Sequence, residues 1–285
     1  MTIAAGFTFQ HGVVICADTQ MTGATTKYPE SKIFPITFGG PENPGPKIIF
    51  AYAGTEPHAR RAFGNCRIAL SKMHSQHPGD MDNEGIRVCI EKTLADFYRK
   101  YLFKHPLYGT GRVDAPSVQF LIGLWSHVTG RTSLLVTNED IVNEKDTYDC
   151  IGMGGEFARA ICHYLYRQNM SLKEVTIMAT HALRQTKKNV PYCGDETLFM
   201  RLETGGLLSG VSNFDISLDE SYSDQFMALT SKLLPDLVDH EKDFEKTMKS
   251  FCELAKAIRE EHNAARKKWD AFWEVFSEPL SKQQE

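Results

Sequence analysis

The sequence predicts an α/β protein of the α+β type, in which pairs of helices cover antiparallel β-sheets, followed by a C-terminal helical extension. Two observations lead to this prediction. Short apolar runs with strand character occur in groups separated by turn signals, which is typical of antiparallel strands. Segments with apolar residues at helical spacing occur in pairs between these groups, whereas a parallel doubly wound sheet would alternate single strands and helices.

The first four strands form two predicted hairpins. Residues 2–9 alternate in character, and the turn signal Gln10-His11-Gly12 sends the apolar run 13–17 back beside them. Strands over 32–38 and 47–53 flank the loop GGPENPGP, whose glycines and prolines predict an irregular connection. Each pair therefore forms neighbouring antiparallel strands.

The elements that follow are predicted from the period of their apolar residues. Spacings of three and four residues predict helices over 56–79, 83–103, 156–168 and 172–188. Continuous or alternating apolar runs predict strands over 117–125, 132–137, 148–151 and 197–202. These elements complete a predicted main domain over residues 1–209.

Residues 210–285 are predicted to form a linker and a helical extension. The stretch NFDISLDESYSD is polar and reads as the linker. Beyond it, apolar residues recur at helical spacing: Phe244, Met248, Phe251, Ile258, Ala265, Trp269, Phe272 and Phe276. Such a long apolar stripe usually packs against a partner surface, so we expect this segment to contribute to assembly.

The composition narrows the classes of function. A net charge of −4 lacks the basic character of most nucleic-acid-binding proteins. No apolar run reaches the length of about 18 residues expected of a membrane helix, and the N-terminus has no secretory signal pattern. Seven cysteines, an odd number, lie mostly in apolar segments and indicate reduced thiols. We expect a cytoplasmic protein that binds neither nucleic acid nor a membrane.

No cofactor and no metal ion are expected. His74 and His77 have the spacing of metal ligands, but no pair of cysteines or carboxylates converges on them. The run Gly152-Met153-Gly154-Gly155 precedes a helix, but Phe157 stands where the dinucleotide-binding fingerprint has its third glycine. This run is therefore predicted to be a structural turn.

Thr2, Asp18 and Lys32 form the core of the candidate site. Because the first hairpin turns near His11, Asp18 ends its strand within reach of Thr2. A carboxylate at the end of a buried strand is costly unless it is paired, and Lys32 is the nearest candidate cation.

These residue types suit nucleophilic catalysis. A threonine hydroxyl needs a base to take its proton, and the α-amine of an N-terminal threonine can be that base. A lysine ammonium next to the hydroxyl favours the developing alkoxide. Gly54, between a strand and the first helix, is placed to offer backbone N–H to an oxyanion.

The sequence resembles the proteasome β-subunit and HslV-type proteases, a family of N-terminal nucleophile (Ntn) hydrolases. The similar stretches are TIAAGFTFQHGVVICAD from Thr2 to Asp18, SKIFPI around Lys32, AYAGT around Gly54 and, more loosely, IGMGGEFARA and the chain up to residue 205. The resemblance implies a four-layer αββα sandwich assembled into homo-oligomeric rings around an inner chamber. It implies a threonine endopeptidase acting on peptides or unfolded proteins, fed in some members by an ATP-dependent unfoldase.

By the same resemblance, Thr2 is the nucleophile once Met1 is removed, Asp18 and Lys32 are its charged partners, and Gly54 is the oxyanion donor. The chain departs from the family in two places. Family members usually have Gly-Ser-Gly where this chain has Met153 between its glycines. Where they often have an aspartate followed by Ser-Gly-Gly, this chain reads NVPYCGDET, so Asn189 or Asp195 would have to stand in.

Two other functions stay open on the sequence. The protein is a silent ring-forming or scaffold protein if Asp18 and Lys32 are only a structural ion pair, and it then binds a partner through its C-terminal helix. It is a small-molecule amidase if the Ntn chemistry serves a non-peptide amide. Cys193, in a loop beside a glycine, is the one cysteine whose position suggests reactivity.

Overall fold

The computed structural model describes residues 2–22, 27–40, 44–110, 115–211, 213–238 and 244–281. The chain divides into two compact units, residues 1–211 and residues 212–285. No helix within the described ranges is long and apolar enough to cross a membrane.

In the residues that the structure describes, the first unit contains twelve strands and four of the α-helices. The strands are β1 (Ile3–Phe9), β2 (Gly12–Asp18), β3 (Gln20–Thr22), β4 (Lys27–Pro29), β5 (Ile33–Gly39), β6 (Pro44–Gly54), β7 (Val118–Trp125), β8 (Thr132–Asn138), β9 (Ile141–Lys145), β10 (Tyr148–Gly152), β11 (Thr197–Glu203) and β12 (Leu208–Gly210). The helices are α1 (Glu56–Gln76), α2 (Asn83–Phe97), α3 (Gly155–Leu165) and α4 (Leu172–Asn189).

Two five-stranded antiparallel sheets form the centre of this unit. Sheet A has the strand order β10-β1-β2-β11-β12, sheet B has the order β5-β6-β7-β8-β9, and β3 pairs with β4 alone. Successive side chains of a strand point to opposite faces. Thus Ile49 of β6 packs with Ile15 of sheet A between the sheets, whereas Phe50 packs with Leu70 of α1 and Ile90 of α2 on the outer face.

The helices form the two outer layers. α1 and α2 cover sheet B, and α3 and α4 contact β10, β1 and β2 of sheet A. The central strands, such as β2, are consequently buried on both faces, which explains why β2 is apolar at nearly every position before Asp18, whereas the edge strands β5 and β9 keep exposed residues. The predicted four-layer αββα sandwich with antiparallel sheets is confirmed.

Several element boundaries differ from those predicted. α1 ends at Gln76, before Pro78, because the residue that precedes a proline disfavours helical geometry. α2 ends as a regular helix at Phe97, and residues 98–102 widen into a π-helical turn whose Tyr98 hydroxyl donates to Val118 O at 2.5 Å. The glycine- and proline-rich loop is partly regular, since β6 begins at Pro44. Strands β3, β4, β9 and β12 were not predicted.

The second unit consists of α5 (Asn213–Val238) and α6 (Phe244–Ser281). The prediction of a polar linker over NFDISLDESYSD is wrong, because this stretch is the start of α5. Its polar residues Asp219 and Ser223 are buried, and His262 Nε2 of α6 lies 2.9 Å from Asp219 Oδ1. The side chains of Phe244, Trp269, Phe272 and Phe276 lie outside the described residues, so the partner surface expected for this stripe stays a prediction.

Candidate active site

The hairpin of β1 and β2 places Asp18 beside the N-terminal residues. A two-residue turn at Gln10 and His11 pairs Ala4 with Ala17, so Asp18 is next in register to Ile3. The Ile3 backbone N–H donates to Asp18 Oδ1 at 3.0 Å. Thr2, immediately before Ile3, is 2% exposed. The position of Asp18 thus follows from the turn, as the sequence predicts.

The predicted contact between Asp18 and Lys32 is present. Lys32 Nζ lies 2.7 Å from Asp18 Oδ1, and both side chains have 0% exposure. Lys32 Nζ also donates to the carbonyl oxygen of Gln20 at 2.6 Å. The second carboxylate oxygen, Asp18 Oδ2, accepts from Gly194 N at 3.0 Å. Every one of these bonds has a charged partner, which makes it stronger than a neutral hydrogen bond.

Burial brings the pKa values of the two groups closer together. It raises the pKa of Asp18, and the positive charge of Lys32 and the N–H donors of Gly194 and Ile3 oppose this rise. It lowers the pKa of Lys32, and Asp18 opposes that change. Removing water disfavours each charged form, so the ammonium of Lys32 releases its proton more readily than that of a surface lysine.

Gly54 lies at the end of β6 in a conformation that favours glycine. Its φ is +112°, and a Cβ at this position would come within 2.2 Å of Ser117 O. The backbone therefore requires glycine here whether or not Gly54 serves catalysis. Gly152 lies between Thr2 and Ala53, the residue before Gly54. A Cβ added to Gly152 would lie 2.2 Å from Thr2 O and 3.0 Å from Ala53 Cβ.

The loop that follows α4 completes the surroundings of Asp18. The resemblance already implies a stand-in residue from this loop, Asn189 or Asp195, but the contact from Gly194 was not predicted. Gly194 donates to Asp18, and the thiol of the preceding residue, Cys193, is buried next to Gly154. A Cβ on Gly154 would meet Cys193 Sγ at 3.0 Å and Ile3 Cβ at 3.2 Å. Burial, with a smaller effect of Asp18, raises the pKa of Cys193 to about 11. No local pattern in NVPYCGDET indicates that Gly194 donates to Asp18.

Comparison with known proteins fits this geometry. The family model described as "Proteasome subunit" matches residues 2–199, well over half of the chain. The chain belongs to the proteasome subunit family. The resemblance found in the motifs of Thr2, Asp18, Lys32 and Gly54 is thereby confirmed at the level of the family.

Solved structures support the same fold. The Anbu (Gly-1) mutant from Hyphomicrobium sp. strain MC1 has a TM-score of 0.64 and 14% identity, covering 81% of this chain and 97% of that chain. The helical assembly of the Anbu complex from Pseudomonas aeruginosa has a TM-score of 0.68 and 14% identity, covering 84% of this chain and 98% of that chain. No curated protein sequence gives a significant match.

Met153, Asn189 and Asp195 occupy the positions where this chain departs from the family pattern, and the structure shows what surrounds each of them. Met153 is 51% exposed. Asn189 Nδ2 donates to Gln185 O at 2.8 Å, back into its own helix. Asp195 is close enough to Lys32 for its carboxylate to oppose the lowering of the lysine pKa. Of the two stand-ins predicted for the family aspartate, Asp195 is thus the one with an electrostatic influence on Lys32.

The described residues contain no group of three or more His, Cys, Asp or Glu side chains that could hold a metal ion.

Proposed function

We propose that this family member is a threonine peptidase, which cleaves peptides or unfolded proteins through an acyl-enzyme on Thr2 after removal of Met1. One observation carries the proposal: Asp18 binds the Ile3 N–H with the same oxygen that binds Lys32 Nζ. This arrangement fixes a buried ammonium group next to the residue that follows Thr2. A hydroxyl at the N-terminus thereby gains a neighbouring positive charge that favours its ionised form.

In the proposed reaction, the free α-amine of Thr2 takes the proton of the Thr2 hydroxyl. The resulting alkoxide attacks the substrate carbonyl carbon, and the Gly54 backbone N–H stabilises the oxyanion that forms. The α-ammonium returns the proton to the leaving amine as the peptide C–N bond breaks. Water then attacks the ester, releases the acid and restores the threonine. Lys32 stabilises the alkoxide, and Asp18 holds Lys32 in place.

We propose a ring-shaped homo-oligomer as the working form. The proposal rests on membership of the proteasome subunit family and on the Anbu complex, which is described as a helical assembly. If the threonines face an enclosed chamber, folded proteins are excluded by size, so an ATP-dependent unfoldase is the kind of partner that would supply them. Peptides need no such partner.

The experiment that tests the chemistry combines intact mass measurement with peptide hydrolysis. We expect a chain that lacks Met1 and cleaves peptides. Thr2→Ala should abolish cleavage while circular dichroism and assembly stay unchanged, because a small residue at a strand start disturbs little. Thr2→Ser should retain part of the activity, because the hydroxyl remains. Equal rates for a Met1-retaining and a trimmed protein would refute the amine mechanism.

The burial of Thr2 favours a second candidate, a silent ring or scaffold protein that binds a partner through its C-terminal helix. A residue that is 2% exposed offers little surface to a substrate. This candidate predicts a native protein that keeps Met1, forms the oligomer and hydrolyses no peptide. The same mass and activity measurements therefore separate the two functions.

A further inference from the structure

A cleft opens between α1 and α2, the two helices that cover sheet B. Its volume is about 520 Å³. Arg61 of α1 and Lys92 of α2 line it, together with Lys100 and Tyr101 of the π-helical turn that follows α2. Apolar side chains line the space between these groups, and one of them, Ile68, is 67% exposed. We call this feature the α1–α2 cleft.

The three cations of the α1–α2 cleft have no carboxylate within ion-pair distance among the residues that the structure describes. Other cations on the same segment are paired. Arg87 Nη1 lies 2.9 Å from Glu91 Oε2, and Asp96, the acid that also lines the cleft, lies 3.3 Å from Arg99 Nη1. The chain as a whole carries a net charge of −4. Unpaired positive charge in a cleft of an acidic protein attracts anions to that cleft.

Tyr101 holds two of the cations at one end of the cleft. Arg61 Cζ lies 4.5 Å from the centre of the Tyr101 ring and Lys100 Nζ lies 5.1 Å from it, which is the range of cation–π contacts. A hydrogen bond with Lys100 and the positive charges of Arg61 and Lys100 lower the pKa of the Tyr101 hydroxyl. Surroundings that favour the anionic form of this phenol also favour an anion that enters from solvent.

The π-helical turn determines where Lys100 and Tyr101 lie. Turns of this kind are rare and occur frequently at functional sites. Tyr98, the first residue of the turn, is anchored by its hydroxyl to Val118 O, and the Phe97 ring packs against Tyr101 with a centroid distance of 5.2 Å. The basic end of the cleft is therefore built by the backbone and by packed aromatic rings.

We propose that the α1–α2 cleft binds a polyphosphate chain, either a free one or that of a nucleotide. Arg61 and Lys100 hold one end of the chain, because guanidinium and ammonium groups make strong charge-assisted hydrogen bonds to phosphate. Lys92 lies eight positions before Lys100, about 12 Å along the helix axis, so a chain of phosphates spans both ends better than a single phosphate does. The exposed Ile68 offers an apolar surface to the remainder of a nucleotide.

Isothermal titration of the full chain with sodium tripolyphosphate tests the proposal, at low ionic strength because salt screens exposed charges. We expect saturable binding, and the pair Arg61→Gln and Lys100→Gln should weaken it at least about tenfold, because charge-assisted hydrogen bonds are lost. The control pair, Lys72→Gln and Lys104→Gln, removes the same charge from exposed lysines outside the cleft and should bind like the parent. No saturable binding to the parent, or an equal loss in both pairs, would overturn the proposal.

Titration with ATP in the absence of Mg²⁺ distinguishes the two sources of the chain. Tighter binding of ATP than of tripolyphosphate, with the difference removed by Ile68→Ser, assigns a nucleotide. Equal affinities assign the phosphate chain alone. The inference is independent of the Thr2 chemistry, so Thr2→Ala should bind tripolyphosphate like the parent. Failure of the proposed peptidase reaction therefore leaves this test unaffected.

Discussion

Replacing Lys32 by Met tests whether the buried ion pair holds the site together. Lys32 Nζ is bonded to Asp18 Oδ1 at 2.7 Å and to Gln20 O at 2.6 Å, and neither charged side chain is exposed. Met has a similar length and no charge, so the variant leaves Asp18 with the backbone donors Ile3 and Gly194 but without its counter-ion. Removing one partner of a buried pair costs about 3–5 kcal/mol in the free energy of unfolding.

The loss should depend on pH in a definite direction. Lys32 opposes the rise that burial causes in the pKa of Asp18, so its removal raises that pKa further. A carboxyl group with a higher pKa in the folded state stabilises the fold below its unfolded pKa, about 3.9 for aspartate. That contribution is lost as the pH rises through the folded pKa. The difference between the parent and Lys32→Met should therefore be small near pH 4 and larger at pH 7.

Urea unfolding followed by circular dichroism at both pH values measures this difference. Lys145→Met is a matched control, since Lys145 pairs with Asp149 at 3.1 Å but is 40% exposed. We expect the control to lose at most about 1 kcal/mol, as is usual for exposed pairs. A loss below about 1 kcal/mol for Lys32→Met at pH 7, or the same loss at both pH values, would refute the reasoning. The double variant Asp18→Asn with Lys32→Met should recover part of the loss.

Two further predictions concern the residues around Thr2. Gly152→Ala should lower the free energy of unfolding by at least about 2 kcal/mol and abolish hydrolysis, because φ of Gly152 is +90° and the new Cβ would meet Thr2 O. Gly64 lies in α1 with open space around it, so the control Gly64→Ala should raise the free energy of unfolding by up to about 1 kcal/mol. Unfolding of the two variants side by side decides this, and equal effects would contradict it. Iodoacetamide at pH 8 should label Cys193 at least about 100-fold more slowly than the exposed Cys252, because burial raises the pKa of Cys193 to about 11. Peptide mapping by mass spectrometry measures both rates, and comparable labelling would show that the loop is open.

The sequence was sufficient where local patterns determine the structure. The turn at His11 and the length of β1 set the register that brings Asp18 to Ile3. A buried carboxylate such as Asp18 is costly unless a cation pairs with it, and this requirement identifies Lys32 as its partner. The period of the apolar residues predicts α1 to α4, α6 and the long strands. Strands β3, β4 and β12, of three residues each, are too brief to show a period, and the five residues of β9 show none either.

The sequence does not predict which polar residues are buried, nor which residues far apart in the chain come into contact. Asp219 and Ser223 are polar but buried in α5, where His262 pairs with Asp219, so polarity alone wrongly predicts a linker here. Gly194 reaches Asp18 from 176 positions away, through a loop that has no periodic pattern. Its role depends on the packing of α4 against sheet A, which no local signal reports.

The carboxylate of Asp18 is held by three segments that are far apart in the chain. Its donors come from Ile3, from Lys32 and from Gly194. Contacts of such long range form late, because a long loop must close before they contribute. A chain emerging from the ribosome therefore lacks this environment until residue 194 has been made and has folded back onto β2. The proposed peptidase chemistry depends on the buried pair, so nascent and partly folded chains would lack it.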